Sequence, residues 1–379
     1  MARCCARAFG KPLGAIKKQM GSGIIVSHIE KERIILEPVR ITLKDIANEC
    51  GYSVNTVSRA LRGDTKLPEQ TRLKIQQTAQ RKGYIRNNLA SSLRSGASHI
   101  IAVIVNDIRN QHFSTMISEI ELFLRQAGYD MMILCTQIAE QGEQIGTQMV
   151  HVAISQSVDG ILYFPYSDDK PVIDFLEQSG VPFVLVDRWI SDVSADLVRC
   201  DDFAGGYLAG KHLLELGHKK FVYIRGPLNN SSQVDREAGF VKILRESGIP
   251  ETGIRIIDCG EIDHAIKHNS ILDLLEPIDY TAILAFNDEI AYQVINTFRA
   301  AHIRIPRDVS LMGFDHIRKY VPYHAPLTSV FCAPEYNIGE IAVNLLLERI
   351  ANSSMPKQAR VLPVKIYNEG TTGPCQKIP

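Results

Sequence analysis

The sequence predicts a small all-α domain followed by a much larger α/β domain. The chain has 379 residues, which is long enough for two or three domains with cores of their own. Residues 41–96 contain short helix-forming segments with good capping residues. From residue 99 onward, apolar runs of strand length alternate with helical stretches, a pattern typical of parallel α/β layers.

Charge is distributed unevenly between these two parts. The net charge of the whole chain is zero, but residues 41–96 hold ten Lys and Arg against four Asp and Glu. Residues 97–379 hold 24 basic and 35 acidic residues, and residues 1–40 hold eight basic and three acidic ones. A basic front end on an acidic body is typical of a polyanion-binding head on a globular sensor. Chance clustering on a solvated surface would give the same asymmetry.

The composition indicates a cytoplasmic protein. No run of about eighteen apolar residues occurs, so the sequence predicts no membrane span. The first forty residues have no apolar core followed by a small-residue cleavage site, so a signal peptide is not supported. Eight cysteines, without any CxxC spacing, favour reduced and mostly buried thiols.

The all-α part begins with a helix between Thr42 and Gly51. Thr42 is a good N-cap with Asp45 three residues later, and Gly51 ends the helix. We expect Ile46 and Ala47 to face inward.

A second helix follows, with Ser53 as its cap and a buried stripe of Val57, Ala60 and Leu61. The outer face is left with Val54, Asn55, Thr56, Ser58 and Arg59. Most of these are poor helix formers, so helix propensity alone does not explain them. Asn pairs with adenine, Arg with guanine and Val with a thymine methyl group, while Ser and Thr hydroxyls suit phosphates. The pattern therefore favours a DNA-reading helix, although a surface helix of any bundle could also begin with a Ser cap.

A third helix completes the predicted head. Pro68 suits its first turn, and Leu73, Ile75 and Ala79 are available to close a three-helix core. This is helix-turn-helix organisation, in which the second helix enters the major groove.

The head also carries a family resemblance. The segments "TLKDIANECGYSVNTVSRALRG" and "TRLKIQQTAQRKGYIRNNLASSLRSG" closely resemble the head of the LacI/GalR family of bacterial transcription regulators, and the likeness continues through "VSLMGFDHI" and "PLTSV". It covers about residues 41–370. The resemblance implies that Val54, Asn55 and Arg59 choose the operator sequence. It also implies phosphate contacts from four hydroxyl residues: Thr42, Ser53, Thr56 and Thr71.

The next segment, "NNLASSLRSG" (residues 87–96), predicts a hinge. Ala90 and Leu93 have helical spacing, but the segment is too short to be a stable helix alone. The resemblance implies that it folds on operator DNA, with Leu93 wedged into the minor groove and Asn87 and Ala90 beside it. Arg86 stands where the family usually has Pro, which leaves the hinge entry less rigid. Ser91 stands where it usually has Arg, which removes one cation, and a plain linker is the alternative.

The α/β part contains seven strand candidates: "HIIAVIVN", "DMMILCT", "DGILYFP", "PFVLVD", "KKFVYIRG", "TAILAFN" and "VSLMGF". The resemblance implies a periplasmic-binding-protein-like two-lobe domain that clamps a small molecule. We expect the first lobe at about residues 99–199 plus 332–358. The second lobe is expected at about residues 200–331 plus the C-terminal strand region.

Polar residues at strand ends are the candidates for binding an effector, because ligands of α/β proteins bind at the carboxyl ends of strands. The resemblance assigns ligand contacts to His112, Phe113, Asn230, Ser232 and Arg236. Two more candidates, Asn287 and Asp315, follow strands. An Arg and an Asp from different loops can bracket vicinal hydroxyls, which favours a carbohydrate-like effector. For each residue alone, helix capping or simple packing is the alternative.

We find no catalytic constellation: GxSxG, Walker-type and CxxC motifs are missing. "HAIKH" (residues 264–268) has zinc-like spacing but no third ligand, so no metal and no cofactor are predicted.

The expected function is a dimeric, effector-responsive DNA-binding regulator, most often a repressor in this family, and not an enzyme. The alternative is a solute-binding protein of the same clamp fold. Four domains are predicted. Residues 1–40 are an extension, either disordered or from a misassigned start, and residues 41–86 are the helix-turn-helix head. Residues 87–98 are the hinge with its linker, and residues 99–379 are the two-lobe effector-binding and dimerisation domain.

Overall fold

The computed structural model describes residues 41–85, 96–136, 144–165, 169–258, 260, 271–317 and 325–376. The chain divides into two compact units, one ending at Arg86 and the other beginning at Asn87. Three predicted DNA contacts, at Asn87, Ala90 and Leu93, lie outside the described residues, as do Arg86, Ser91 and the "HAIKH" segment.

The small unit is a three-helix head with α1 (Leu43–Cys50), α2 (Val54–Leu61) and α3 (Glu69–Lys82). The backbone N–H of Asp45 donates to the Thr42 hydroxyl, and the Asp45 carboxylate accepts from the Thr42 N–H. This reciprocal pair is a capping box. Gly51 ends α1 with a φ of 74°, a left-handed conformation that glycine adopts without strain. The predicted start and end of α1 are therefore confirmed.

The core of the head contains Ile46, Val57, Ala60 and Ile75, all fully buried. Leu73 is 46% exposed, so its predicted place in this core is wrong. Residues two apart on a helix point about 200° away from each other. Since Ile75 faces the core, Leu73 faces solvent.

The large unit is built from alternating strands and helices. Its strands are β1 (Ile100–Val105), β2 (Asp130–Cys135), β3 (Gly160–Tyr163), β4 (Phe183–Val186), β5 (Leu197–Cys200), β6 (Phe221–Arg225), β7 (Ile254–Asp258), β8 (Ala282–Ala285), β9 (Ser310–Phe314), β10 (Thr328–Cys332), β11 (Ala359–Leu362) and β12 (Val364–Tyr367). Its helices are α4 (Gln111–Gln126), α5 (Gln144–Ser155), α6 (Lys170–Ser179), α7 (Asp202–Glu215), α8 (Ser231–Glu246), α9 (Ile271–Leu275), α10 (Asp288–Ala300) and α11 (Ile338–Ala351).

These strands form two six-stranded sheets within the described residues, one in each lobe. The first has the order β11-β5-β4-β3-β1-β2 and is parallel throughout. The second has the order β12-β10-β9-β8-β6-β7, with β12 antiparallel to β10. Apolar clusters cover both faces of each sheet. The predicted two-lobe α/β fold is confirmed.

All seven strand candidates occur. Strands β5, β7 and β10 were not predicted, and β11 and β12 form the expected C-terminal strand region. One part of the predicted lobe division is wrong. Strand β11 joins the first sheet and β12 the second, so the C-terminal strand region is shared between the lobes. The physical reason is that β11 and β12 belong to one extended segment that crosses from the first lobe to the second at Pro363. Before this crossing the segment pairs with β5, and after it the segment pairs with β10.

Helices α7 and α8 lie unusually close together. A Cβ atom on Gly206 would lie 2.0 Å from the carbonyl oxygen of Arg236, and one on Gly239 would lie 2.0 Å from that of Phe203. Such distances are shorter than any real contact, so only glycine allows the two backbones to meet here. Gly205 instead faces the second sheet.

Candidate functional site

The first turn of α2 is accessible on the head. The backbone N–H of Thr56 donates to the Ser53 hydroxyl at 3.1 Å, so Ser53 caps the helix as predicted. Val54 is 44% exposed and Asn55 is exposed as well. The side chains predicted to read bases are therefore open to a partner, while Val57 of the same helix is buried.

Arg59 is held at the other end of α2 by a partner that the sequence did not reveal. Its Nε donates to the Asp64 carboxylate at 2.7 Å, and this bond lowers the pKa of Asp64. A guanidinium has five N–H donors in a planar fork, so a bond through Nε orients Arg59 and leaves its Nη donors available to a partner. Thr71 is half-buried on α3, and the Thr42 hydroxyl donates to Asp45 at 2.7 Å.

In the large unit, Arg236 is the centre of a buried ion cluster. Its Nε donates to Asp202 at 2.7 Å, its Nη2 to Asp315 at 3.1 Å and its Nη1 to the Phe286 carbonyl oxygen at 2.7 Å. Three of its five N–H donors are therefore used within the protein. Burial raises the pKa of Asp202, although the positive charge of Arg236 opposes this effect.

His112 links this cluster to the other lobe. Its Nε2 lies 3.0 Å from an oxygen of Asp187, and its Nδ1 lies 3.9 Å from an oxygen of Asp315. Burial lowers the pKa of His112, but the charges of Asp315 and Asp187 outweigh it and raise the pKa to about 9. Burial likewise disfavours ionised Asp187, yet His112 lowers its pKa to about 2. His112 is therefore a cation between two carboxylates at neutral pH.

A cleft of about 510 Å³ opens between the strand ends of the two lobes. Its polar lining is rich in amide side chains and also carries both charge signs: Asn106, Asp107, Arg109, Asn110, Arg188, Asn230, Asn287, Glu289 and Gln293. Phe113, Pro227, Phe286 and Ile290 supply apolar surface. The side-chain oxygen of Gln293 is buried and lacks a hydrogen-bond partner among the described residues. Such an acceptor is suited to a ligand hydroxyl.

The predicted effector residues divide into two groups. Phe113, Asn230 and Asn287 line the cleft, whereas the other members belong to the buried shell around it: His112, Ser232, Arg236 and Asp315. Asn230 also accepts from the Ser232 N–H at 2.9 Å and so caps α8, and Asn287 caps α10. The capping alternative thus describes these two residues as well as a ligand role does.

Several cleft residues were missed by the sequence analysis. The guanidinium of Arg188 lies 5.4 Å from the centre of the Phe113 ring, a distance at which cation and ring attract each other. Glu289 accepts from the Asn110 amide at 3.2 Å, and burial raises the pKa of Glu289. Asp187 ends the predicted strand "PFVLVD", so the strand-end criterion that selected Asp315 would also have found it.

A second contact between the lobes lies at the start of α8. The Asp235 carboxylate accepts from the indole Nε1 of Trp189 at 2.9 Å and from Arg199 Nη1 at 3.0 Å. The Trp189 N–H also donates to the Ser231 hydroxyl at 3.1 Å. Trp189 and Arg199 belong to the first lobe and Asp235 to the second, so these three bonds hold the lobes together on this side of the cleft.

Across the residues that the structure describes, no helix combines the length and apolar character that a bilayer crossing requires.

Residues 42–87 match the bacterial regulatory proteins of the lacI family, and residues 211–372 match a periplasmic binding protein-like domain. The HTH-type transcriptional repressor PurR of Photobacterium profundum is 29% identical over 315 residues, covering 83% of this chain and 93% of that protein.

Solved structures agree with these matches. The lac repressor dimer bound to operator and the anti-inducer ONPF has a TM-score of 0.75 and 25% identity, over 88% of this chain and 99% of that chain. A LacI family transcriptional regulator from Enterococcus faecium, with bound ribose, has a TM-score of 0.63 and 29% identity. That alignment covers 73% of this chain and all of that one. Both the head and the large unit therefore align with transcription regulators.

Proposed function

The chain belongs to the LacI family of bacterial regulatory proteins, and we propose from this membership that it is a transcriptional repressor whose operator affinity is controlled by a small molecule. The observation that carries the proposal is the exposed first turn of α2, with Val54 and Asn55 accessible. In helix-turn-helix proteins, these early residues of the second helix contact base edges in the major groove.

The head residues take different roles in this proposal. Val54, Asn55 and Arg59 contact base edges, and Asp64 orients the guanidinium of Arg59 for that contact. Backbone phosphates are contacted by the hydroxyl residues Thr42, Ser53, Thr56 and Thr71. The hinge residues Asn87, Ala90 and Leu93 contact the minor groove.

We propose a carbohydrate-like effector for the cleft. A lining of amide side chains offers both donors and acceptors, as the hydroxyl groups of a sugar require. Arg236 and Asp315 lie in the buried shell next to this lining and are hydrogen-bonded to each other, and we propose that they bracket neighbouring hydroxyls of a sugar that reaches this depth. Phe113 supplies a flat apolar face for the ring. The ribose-bound Enterococcus faecium relative supports this class.

Effector binding and DNA binding are coupled through closure of the cleft. Polar contacts across the cleft, such as Asn110 with Glu289 and Trp189 with Asp235, tie one lobe to the other. A ligand that favours one lobe arrangement shifts the equilibrium between arrangements.

We propose a homodimer, as in the lac repressor bound to its operator, because two heads related by two-fold symmetry match a two-fold operator.

The proposal includes no catalytic step. The curated relatives are regulators, and the ionisable groups in the buried shell around the cleft form pairs with each other. A protein that regulates transcription acts beside the chromosome, so we place the chain in the cytoplasm.

Fluorescence anisotropy tests the proposal directly. The purified protein is titrated onto duplex from its own upstream region and onto scrambled duplex, across a salt series and with a panel of sugars and nucleobases. We expect tight, salt-dependent binding to one palindromic site that one compound shifts. The variant Asn55→Ala should lose that preference, whereas Gln77→Ala, which removes another exposed amide from the head, should keep it. Equal weak binding to both duplexes would contradict the repressor and favour a solute-binding protein of the same fold.

A further inference from the structure

Two buried cysteines lie where the chain passes from one lobe to the other. Cys200 is the last residue of β5, and Cys332 is the last residue of β10. Both are free thiols, and their residues are 8% and 3% exposed. Both belong to the same apolar cluster, so they share one environment although 132 positions separate them in the sequence.

The strand registers place both cysteines beside one continuous segment. Cys200 is paired with Leu362 in the parallel ladder of β5 and β11, and Cys332 with Val364 in the antiparallel ladder of β10 and β12. Strands β5 and β10 therefore meet end to end along the same neighbour. Residues two apart in extended chain are about 6.6 Å apart. That distance separates the ladder partners Leu362 and Val364, so the two cysteines lie beside neighbouring positions of one segment. A disulfide requires Cα atoms about 4.4 to 6.8 Å apart.

The side chains complete this juxtaposition. Both side chains pack in one apolar cluster together with Leu362 at the strand ends. Backbone bonds fix both strand ends: the Asp201 N–H donates to the Leu362 carbonyl oxygen at 2.9 Å, and the Ala333 N–H donates to that of Pro363 at 2.8 Å. The Cys332 thiol, together with burial, raises the pKa of Cys200. Few thiolates are present at neutral pH, which keeps the resting pair slow to react.

We propose that Cys200 and Cys332 form a reversible disulfide that joins the ends of β5 and β10 and fixes the angle between the lobes. With hydrogen peroxide as oxidant, one thiol sulfur attacks a peroxide oxygen, the O–O bond breaks, and a sulfenic acid and one water are formed. The second thiol then attacks the sulfenyl sulfur. The S–S bond forms as the S–O bond breaks, and the hydroxyl group leaves with a proton as a second water. The two sulfurs are oxidised by two electrons, and both peroxide oxygens are reduced.

A bond at this position acts on the movement between the lobes. Each lobe would keep its own sheet and apolar clusters, because each cysteine is the last residue of its strand. Cytosolic disulfides in most organisms are transient or redox-sensing, which fits a bond that reducing conditions reverse. Formation of the disulfide does not depend on the proposed repressor function, whereas any effect on operator affinity does.

Peptide mapping of the full chain tests this proposal. The protein is treated with hydrogen peroxide, blocked with iodoacetamide in denaturant, digested with trypsin and analysed by mass spectrometry. We expect a linked peptide pair containing Cys200 and Cys332 that is two hydrogens lighter than the two free peptides and disappears after reduction. The pair should be missing in Cys200→Ser and Cys332→Ser and present in Cys375→Ser, where the cysteine lies outside the crossing.

The unsubstituted protein decides the outcome even where a serine variant fails to fold. If both cysteines carry the iodoacetamide label after oxidation of the folded protein, or are oxidised separately to sulfinic acids, the proposal is wrong. If the linked pair forms and operator binding is lost on oxidation, the disulfide is established and it affects the repressor function. Formation of the pair in a protein without operator binding would contradict only the repressor.

Discussion

The three bonds between Trp189, Arg199, Ser231 and Asp235 predict that Asp235 stabilises the closed arrangement of the lobes. Asp235→Asn keeps the shape of the side chain but removes the charge that accepts from Trp189 and Arg199. A hydrogen bond to a charged group contributes about 1.5 to 3 kcal/mol. The Arg199 and Asp235 side chains are each 19% exposed, and the amide oxygen can keep one neutral bond.

We therefore expect Asp235→Asn to lose about 2 kcal/mol of closure, which is less than the two charged bonds together. A free energy of this size corresponds to about a 30-fold smaller ratio of closed to open protein. Affinity for an effector that binds the closed form should fall by up to the same factor. Stability of the separate lobes should change little, because Asp235 contacts the first lobe through side chains alone.

Acrylamide quenching gives an assay that needs no ligand, since Trp189 is the single tryptophan of the chain. Asp235→Asn should increase the accessibility of Trp189 to acrylamide. Glu246→Gln is the matched control, because Glu246 is on the same helix but accepts from Tyr207 within the second lobe. Equal quenching of Trp189 in Asp235→Asn and the unsubstituted protein would refute the reasoning.

Three further changes have defined outcomes. His112 has a pKa raised to about 9 from an ordinary value of 6.5, so its ionic contribution to stability is complete below about pH 6.5 and is lost as pH rises through 9. The urea midpoint of His112→Gln should thus lie well below that of the unsubstituted protein at pH 6 and closer to it at pH 9.5, and a constant difference would contradict this. Arg59→Ala should reduce discrimination between operator variants by roughly tenfold or more, measured by anisotropy; unchanged base preference would exclude Arg59 as a reading residue. Gly206→Ala should lower the free energy of unfolding by about 1 to 3 kcal/mol, because its Cβ meets the Arg236 carbonyl oxygen and backbone cannot move aside easily, and an unchanged urea midpoint would show that α7 can shift.

The head could be predicted in detail because its signals are local. Thr42 and Asp45 form their capping box within one helical turn, and Ser53 caps α2 in the same way. Leu73 was misplaced because a count of apolar residues on α3 did not take account of their angles around the helix axis. The partner of Arg59 was missed because Asp64 lies beyond the end of α2.

The cleft could be predicted only in outline. The resemblance identified Phe113, and the strand ends identified Asn287 and Asp315, but which of these residues line the cavity and which lie behind it depends on how the two lobes meet. The bond between Arg236 and Asp315 joins residues 79 positions apart, and no local pattern records such a pairing. Strand β5 was missed because Arg199 interrupts its short apolar run, so it carries little periodic signal.

The segment that runs through β11 and β12 has a consequence for synthesis of the protein. The head has its whole core within residues 41–85, so it can fold while most of the chain is still unmade, as domains generally do during translation. Neither sheet of the clamp is complete until residues 359–367 have left the ribosome. In the proposed repressor, a nascent chain therefore acquires its DNA-reading surface long before it can sense an effector. A chain truncated before residue 359 would have a folded head but an incomplete effector-binding clamp.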